Sequence, residues 1–138
     1  MPQFLRNILA VFAGIILGSV VNMSLVLVSG HVIPLPEGAV GDTVEGLKQT
    51  IHLFEPKHFL FPFLAHALGT LVGAFVAVKL SGNGSIRSAI IVALIFLAGG
   101  VQMVMEVPAP LWFDITDLVL AYVPMGLLGH RLAAKPVN

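Results

Sequence analysis

Four stretches, at about residues 8–28, 59–78, 87–107 and 115–130, run apolar with almost no charge, and ~20 such residues carry a helix across a bilayer core. The pattern therefore predicts an all-α membrane protein, a bundle of four transmembrane helices forming a single domain. The last two spans meet at Pro108, Pro110 and Trp112, which predicts broken or tilted ends there. Residues 80–85, Leu-Ser-Gly-Asn-Gly-Ser, read as a plain turn between antiparallel neighbours.

The loop at residues 31–57 is longer and has its own pattern. Ile33-Pro34-Leu35-Pro36 is extended, and Asp42-Thr43-Val44-Glu45 reads as an acidic capping box that starts a short helix running to Phe54. Val44, Leu47, Ile51 and Phe54 recur at three- and four-residue steps, so this helix is amphipathic. It is expected to lie on the outer membrane surface or to cap the bundle.

Small residues suggest how the spans pack. Gly14 and Gly18 are four apart, with Asn22 on the same face, and Ala65, Gly69, Gly73 and Ala77 repeat at the same spacing. Such stripes allow close backbone approach, which drives helix association in lipid. The neighbour is either another helix of the chain or a second copy, so a homo-oligomer is expected as one outcome. A faint echo also relates Val21-Asn22-Met23 to Val101-Gln102-Met103, as a duplicated two-helix unit would.

Composition agrees with a lipid environment. Hydrophobic residues make up 57% of the 138 and charged residues 10%, against roughly 25% charged in soluble domains. Net charge is zero, which gives no basic field for nucleic acid. The absence of cysteine excludes disulfides, thiolate metal sites and thiol nucleophiles. Arg6 precedes an apolar run, but the run is about twice the length of a signal-peptide core and no small-residue cleavage site follows.

Charge distribution then predicts orientation. Arg6, Lys79, Arg87, Arg131 and Lys135 flank one side without an acid. All seven acids lie on the other, with only Lys48 and Lys57. Cytoplasmic loops retain Lys and Arg, so both termini are expected inside the bacterial inner membrane. Phe59, Phe61, Phe63, Trp112 and Phe113 are expected to form an aromatic belt at the outer interface.

Each span carries one polar side chain in its outer half: Asn22, His66, Gln102 and Tyr122. Counting from the outer helix ends at 1.5 Å per residue places all four roughly 9–12 Å deep. Two readings follow. Either they form an outward-facing polar pocket, with Glu106 one turn above Gln102 at its rim, or they make ordinary interhelical hydrogen bonds. His66, as an ionisable group inside the membrane, marks a site by default; its alternative is a neutral imidazole bonded to a carbonyl or to Tyr122. Glu106 sits at a helix C-terminus, where the dipole disfavours a carboxylate. Lys57 and His58 are the neighbouring cations.

The other acids fit helix starts: Asp114 and Asp117 for the fourth span, and Glu55, before Pro56, for the second. The run from His52 through Glu55 to His58 has ligand-like spacing, so a single divalent metal held by His52, Glu55, His58 and Glu106 or Asp117 is conceivable. Met23, Met103, Met105 and Met125 read as gap-filling. No phosphate loop, catalytic Ser-His-Asp pattern or haem motif occurs. The expected function is non-enzymatic binding or transport of a small ligand. Alternatives are an accessory subunit of a larger membrane complex and a metal-dependent membrane enzyme using His58, His66 and Glu106.

Overall fold

The computed structural model describes residues 1–134; Lys135 lies outside them. All the regular structure among the described residues is helical: α1 (Gln3–Val32), α2 (Val44–Thr50), α3 (Leu60–Ser81), α4 (Ile86–Glu106), α5 (Leu111–Leu120) and α6 (Val123–Ala133). Two 3-10 turns, Ile51–Leu53 and Pro56–Phe59, join α2 to α3. Four candidate spans emerge, with Leu111–Ala133 acting as one span built from two short helices.

The span built from α5 and α6 is broken near its middle, not only at its N-terminal end. Pro124 lacks an amide hydrogen and its ring crowds the carbonyl four residues back, so the helix cannot continue through it. Tyr122 takes up the break with φ −115° and ψ −80°. The second span, α3, is by contrast continuous.

The most extensive interface joins α1 and α3. A Cβ added at Gly18 would lie 2.5 Å from the Gly69 carbonyl oxygen, and one added at Gly73 would lie 2.8 Å from the Gly14 carbonyl. The two glycine stripes read from the sequence thus face each other within one chain. α6 uses the same device on both neighbours: Gly126 sits against Ala93 of α4, and Gly129 against Ala74 and the Leu71 carbonyl of α3. Small residues at these crossings bring backbones together, and the gain is dispersion contact that lipid would not supply.

At one end of the bundle, Arg6 Nε donates to the Leu80 carbonyl at 2.8 Å and Gln3 Nε2 to the Ser81 carbonyl at 2.9 Å. These donors satisfy orphan carbonyls at the C-terminus of α3, where positive charge also complements the helix dipole.

At the other end, α2 closes the bundle. Its N-cap is Thr43, one residue later than the acidic box suggests; its hydroxyl accepts from the Gly46 amide at 3.0 Å. Leu47, Ile51 and Phe54 pack with Phe59, Val107 and Phe113 in one cluster, so the amphipathic face meets the helix ends. Phe59 is only 4% exposed and contacts Phe113 at a centroid distance of 4.7 Å. It belongs to this cap rather than to a lipid-facing belt, whereas Trp112 stays half exposed.

Candidate functional site

His66 lies two turns into α3 and faces the break between α5 and α6. Its Nδ1 is 2.8 and 2.9 Å from the two carboxylate oxygens of Asp117. Tyr122 donates its hydroxyl to Asp117 Oδ2 at 3.0 Å, and the Tyr122 ring stacks on the imidazole at 5.7 Å and 27°. A carboxylate only accepts hydrogen bonds, so Nδ1 carries the proton shared with Asp117. In the neutral imidazole, Nε2 is then a lone-pair acceptor, and it has no hydrogen bond among the described residues.

The broken span makes this arrangement possible. Helix α5 begins at Leu111 with Pro110 as its N-cap, so Asp114 lies inside the first turn and does not cap the helix. Asp117 falls nearly two turns inside and is 3% exposed. The break after Leu120 then returns Tyr122 toward the same carboxylate. Gly100 of α4 makes room for the phenol: a Cβ there would lie 2.6 Å from Tyr122 Cζ.

Beside this triad is a cavity of about 240 Å³ lined by Asn22, His66, Thr70, Phe96, Met103 and Tyr122, with glycines completing the wall. Asn22 belongs to this wall, and its Oδ1, itself fully shielded, makes no hydrogen bond among the described residues. A buried amide oxygen left unpaired costs roughly 1–3 kcal/mol, and native interiors rarely tolerate it without a reason. Above it, and sharing His66, Gly100 and Met103 as lining, is a chamber of about 880 Å³. Its walls come from the C-terminal end of α1, residues 33–42, α2 and its 3-10 turn, and the adjoining ends of α3, α4 and α5.

Three of the four polar side chains expected at one depth therefore share a cavity: Asn22, His66 and Tyr122. Gln102 does not join them. α4 turns Phe96, Gly99, Gly100 and Met103 inward, at helical three- and four-residue steps, and Gln102 falls on the next stripe out. There it donates to Glu106 at 3.0 Å on the exposed face. Glu106 is satisfied by its own helix neighbour, while Lys57 pairs with Glu55 at 3.1 Å.

The ligand-like run does not converge. His58 accepts from the Glu55 amide at Nδ1 (2.9 Å), which leaves Nε2 as the donor to the Pro34 carbonyl at 3.1 Å. Both ring nitrogens are engaged in holding the loop between α1 and α2 to the start of α3, and His52 is exposed. Among the described residues, no three His, Asp or Glu side chains gather at a point suited to a metal ion.

Asp117 is the residue that sequence reasoning placed in the wrong role, as a helix-start acid or metal ligand. The signal was present: a carboxylate three residues beyond Asp114 within an apolar run, above a tyrosine and a proline. Comparison with models of known protein families, with curated proteins and with solved structures gave no match, so the site stands on its geometry alone.

Proposed function

We propose that this chain is a non-enzymatic protein of the bacterial inner membrane that binds or passes a small ligand through a polar pocket near its outer face. The carrying observation is that Asn22 lines one cavity with His66 and Tyr122, the two residues that hold the Asp117 carboxylate. A small ligand entering this space meets polar side chains with which it can pair. The large chamber above the cavity provides the approach.

Homo-oligomerisation remains part of this reading, but the α3 stripe no longer motivates it, since α1 occupies that face. The same fact removes the main support for an accessory subunit. A metal-dependent enzyme would need a ligand that His58, with both ring nitrogens already bonded to backbone, does not offer.

The chain has no native cysteine, so single-cysteine variants report accessibility cleanly. In intact cells, Asn22→Cys is expected to react with a small, membrane-impermeant thiosulfonate added outside. Labelling seen only after solubilisation would leave the pocket closed to the outer face and remove the reading. Orientation has its own test. Gln49→Cys, in the α2 cap, is expected to label from outside, and Asn83→Cys, in the turn between α3 and α4, only after permeabilisation. The reverse pattern would invert the topology that the positive residues imply.

A further inference from the structure

We propose that the ligand is an uncharged carbonyl compound with a hydrocarbon body. Its oxygen accepts from the Asn22 amide in the small cavity, and its body fills the larger chamber. This rests on the binding reading above and adds the chemical class of the ligand.

The chamber decides the body. Leu27, Ile33, Leu35, Ile51, Val104 and Phe113 line it, from α1, the loop that follows, the turn after α2, α4 and α5. Several of its polar side chains are engaged with protein: Lys57 with Glu55, Ser29 with the Val26 carbonyl, and His58 with backbone at both ring nitrogens. A space of about 880 Å³ with such walls has the size and character of ligand sites, which are mostly apolar with a few polar groups that fix orientation. It runs into the small cavity, since His66, Gly100 and Met103 line both.

The small cavity decides the head. Asn22 Nδ2 makes no hydrogen bond among the described residues and, unlike the shielded Oδ1, keeps accessible surface. The hydroxyls lining the same space spend their protons elsewhere, Thr70 on the His66 carbonyl at 2.8 Å and Tyr122 on Asp117 at 3.0 Å. An amide N–H in this setting calls for an acceptor, and a carbonyl oxygen supplies one without adding a donor of its own. The bond asks nothing of where the proton between His66 and Asp117 sits.

The same wall disfavours a charged head. His66 and Asp117 are held to each other at 2.8 Å, so neither is free to balance an incoming charge. No Lys or Arg lines the small cavity. An ionic head would stand there without a counter-ion, which is costly at membrane depth. Asp42 and Asp114 belong to the lining of the chamber but not to that of the cavity.

Octylbenzophenone has the proposed form and, on irradiation, bonds covalently to C–H groups beside its carbonyl. With the full chain in lipid nanodiscs, the adduct is expected on Met103, which lines both spaces. Decanone is expected to suppress that adduct at a concentration on the order of tenfold lower than decane, with decanoate and decylammonium weaker than decanone. Asn22→Leu, close in volume, is expected to reduce the adduct on the order of tenfold. The competition on the unaltered chain decides the matter even if that variant folds poorly. Nanodiscs of ether-linked lipid, which has no ester carbonyl, separate two sources of the ligand. An adduct stronger there than in ester lipid supports the bilayer's own acyl esters as occupant, and an equal one supports a free carbonyl compound. Decane competing as well as decanone, or either ion competing better, would overturn the carbonyl assignment and leave the pocket standing. Adducts confined to lipid-facing residues and insensitive to every competitor would overturn both.

Discussion

Gly69→Val is expected to disrupt the fold. The added Cβ would stand 2.9 Å from the Gly18 carbonyl oxygen and 3.1 Å from the Asn22 Cβ, and valine adds two methyl groups beyond it. Overpacking of a tight interior costs about 1–3 kcal/mol where side chains can give way, and more where the obstacle is backbone. Here it is the α1 backbone. The two helices must separate, and the loss spreads along Gly14, Gly18 and Gly73, which close the same seam. Equilibrium unfolding in mixed micelles is expected to show a loss above about 3 kcal/mol, or no folded fraction. Gly99→Ala is the control. It lies on a helix with nothing within 4 Å of the added Cβ, and it is expected to change stability by less than about 1 kcal/mol. Equal effects from the two would mean that α1 and α3 do not meet through their glycines.

The second large effect is expected at Asp117. Its carboxylate accepts from both His66 and Tyr122 while only 3% exposed. Asp117→Ala leaves two buried donors without partners, and each unsatisfied group costs about 1–3 kcal/mol. Asp117→Asn keeps the volume and one carbonyl acceptor, so its cost is expected to be smaller, at about 1–2 kcal/mol. Tyr122→Phe removes one donor and leaves the His66 contact, so it is expected to cost about 1 kcal/mol. The order Ala, then Asn, then Tyr122→Phe is the result to look for in thermal unfolding. It differs from what a simple ion pair would give, because Tyr122 has no charge. If Tyr122→Phe proves as damaging as Asp117→Ala, the carboxylate is not the centre of the network.

Depth was legible in the chain and direction was not. Counting residues from helix ends placed Asn22, His66, Gln102 and Tyr122 at one level, since rise per residue is nearly constant. Which way each points depends on the rotation of its helix, and packing sets that rotation. In α4 Gly100 turns inward against Tyr122, and that rotation carries Gln102 and Glu106 outward.

Asp117 shows a different limit. With the fourth span taken to begin near residue 115, this acid looks like a first-turn residue at the membrane surface. Once Pro110 caps the helix, it lies deep inside. One turn of helix separates a solvated carboxylate from a buried one, and helix boundaries are where local patterns are weakest.

The amino-acid sequence alone determined the four spans, the short amphipathic helix in the loop at residues 31–57 and the two glycine stripes. Each depends on periodicity or apolar length, which are properties of local chain. Only the tertiary structure decided that the stripes face each other within one molecule, that the last span breaks at Tyr122, and that Asp117 meets His66 across 51 residues of chain. Those facts depend on how helices rotate and cross, and lipid imposes no burial pattern strong enough to encode that in hydrophobicity alone.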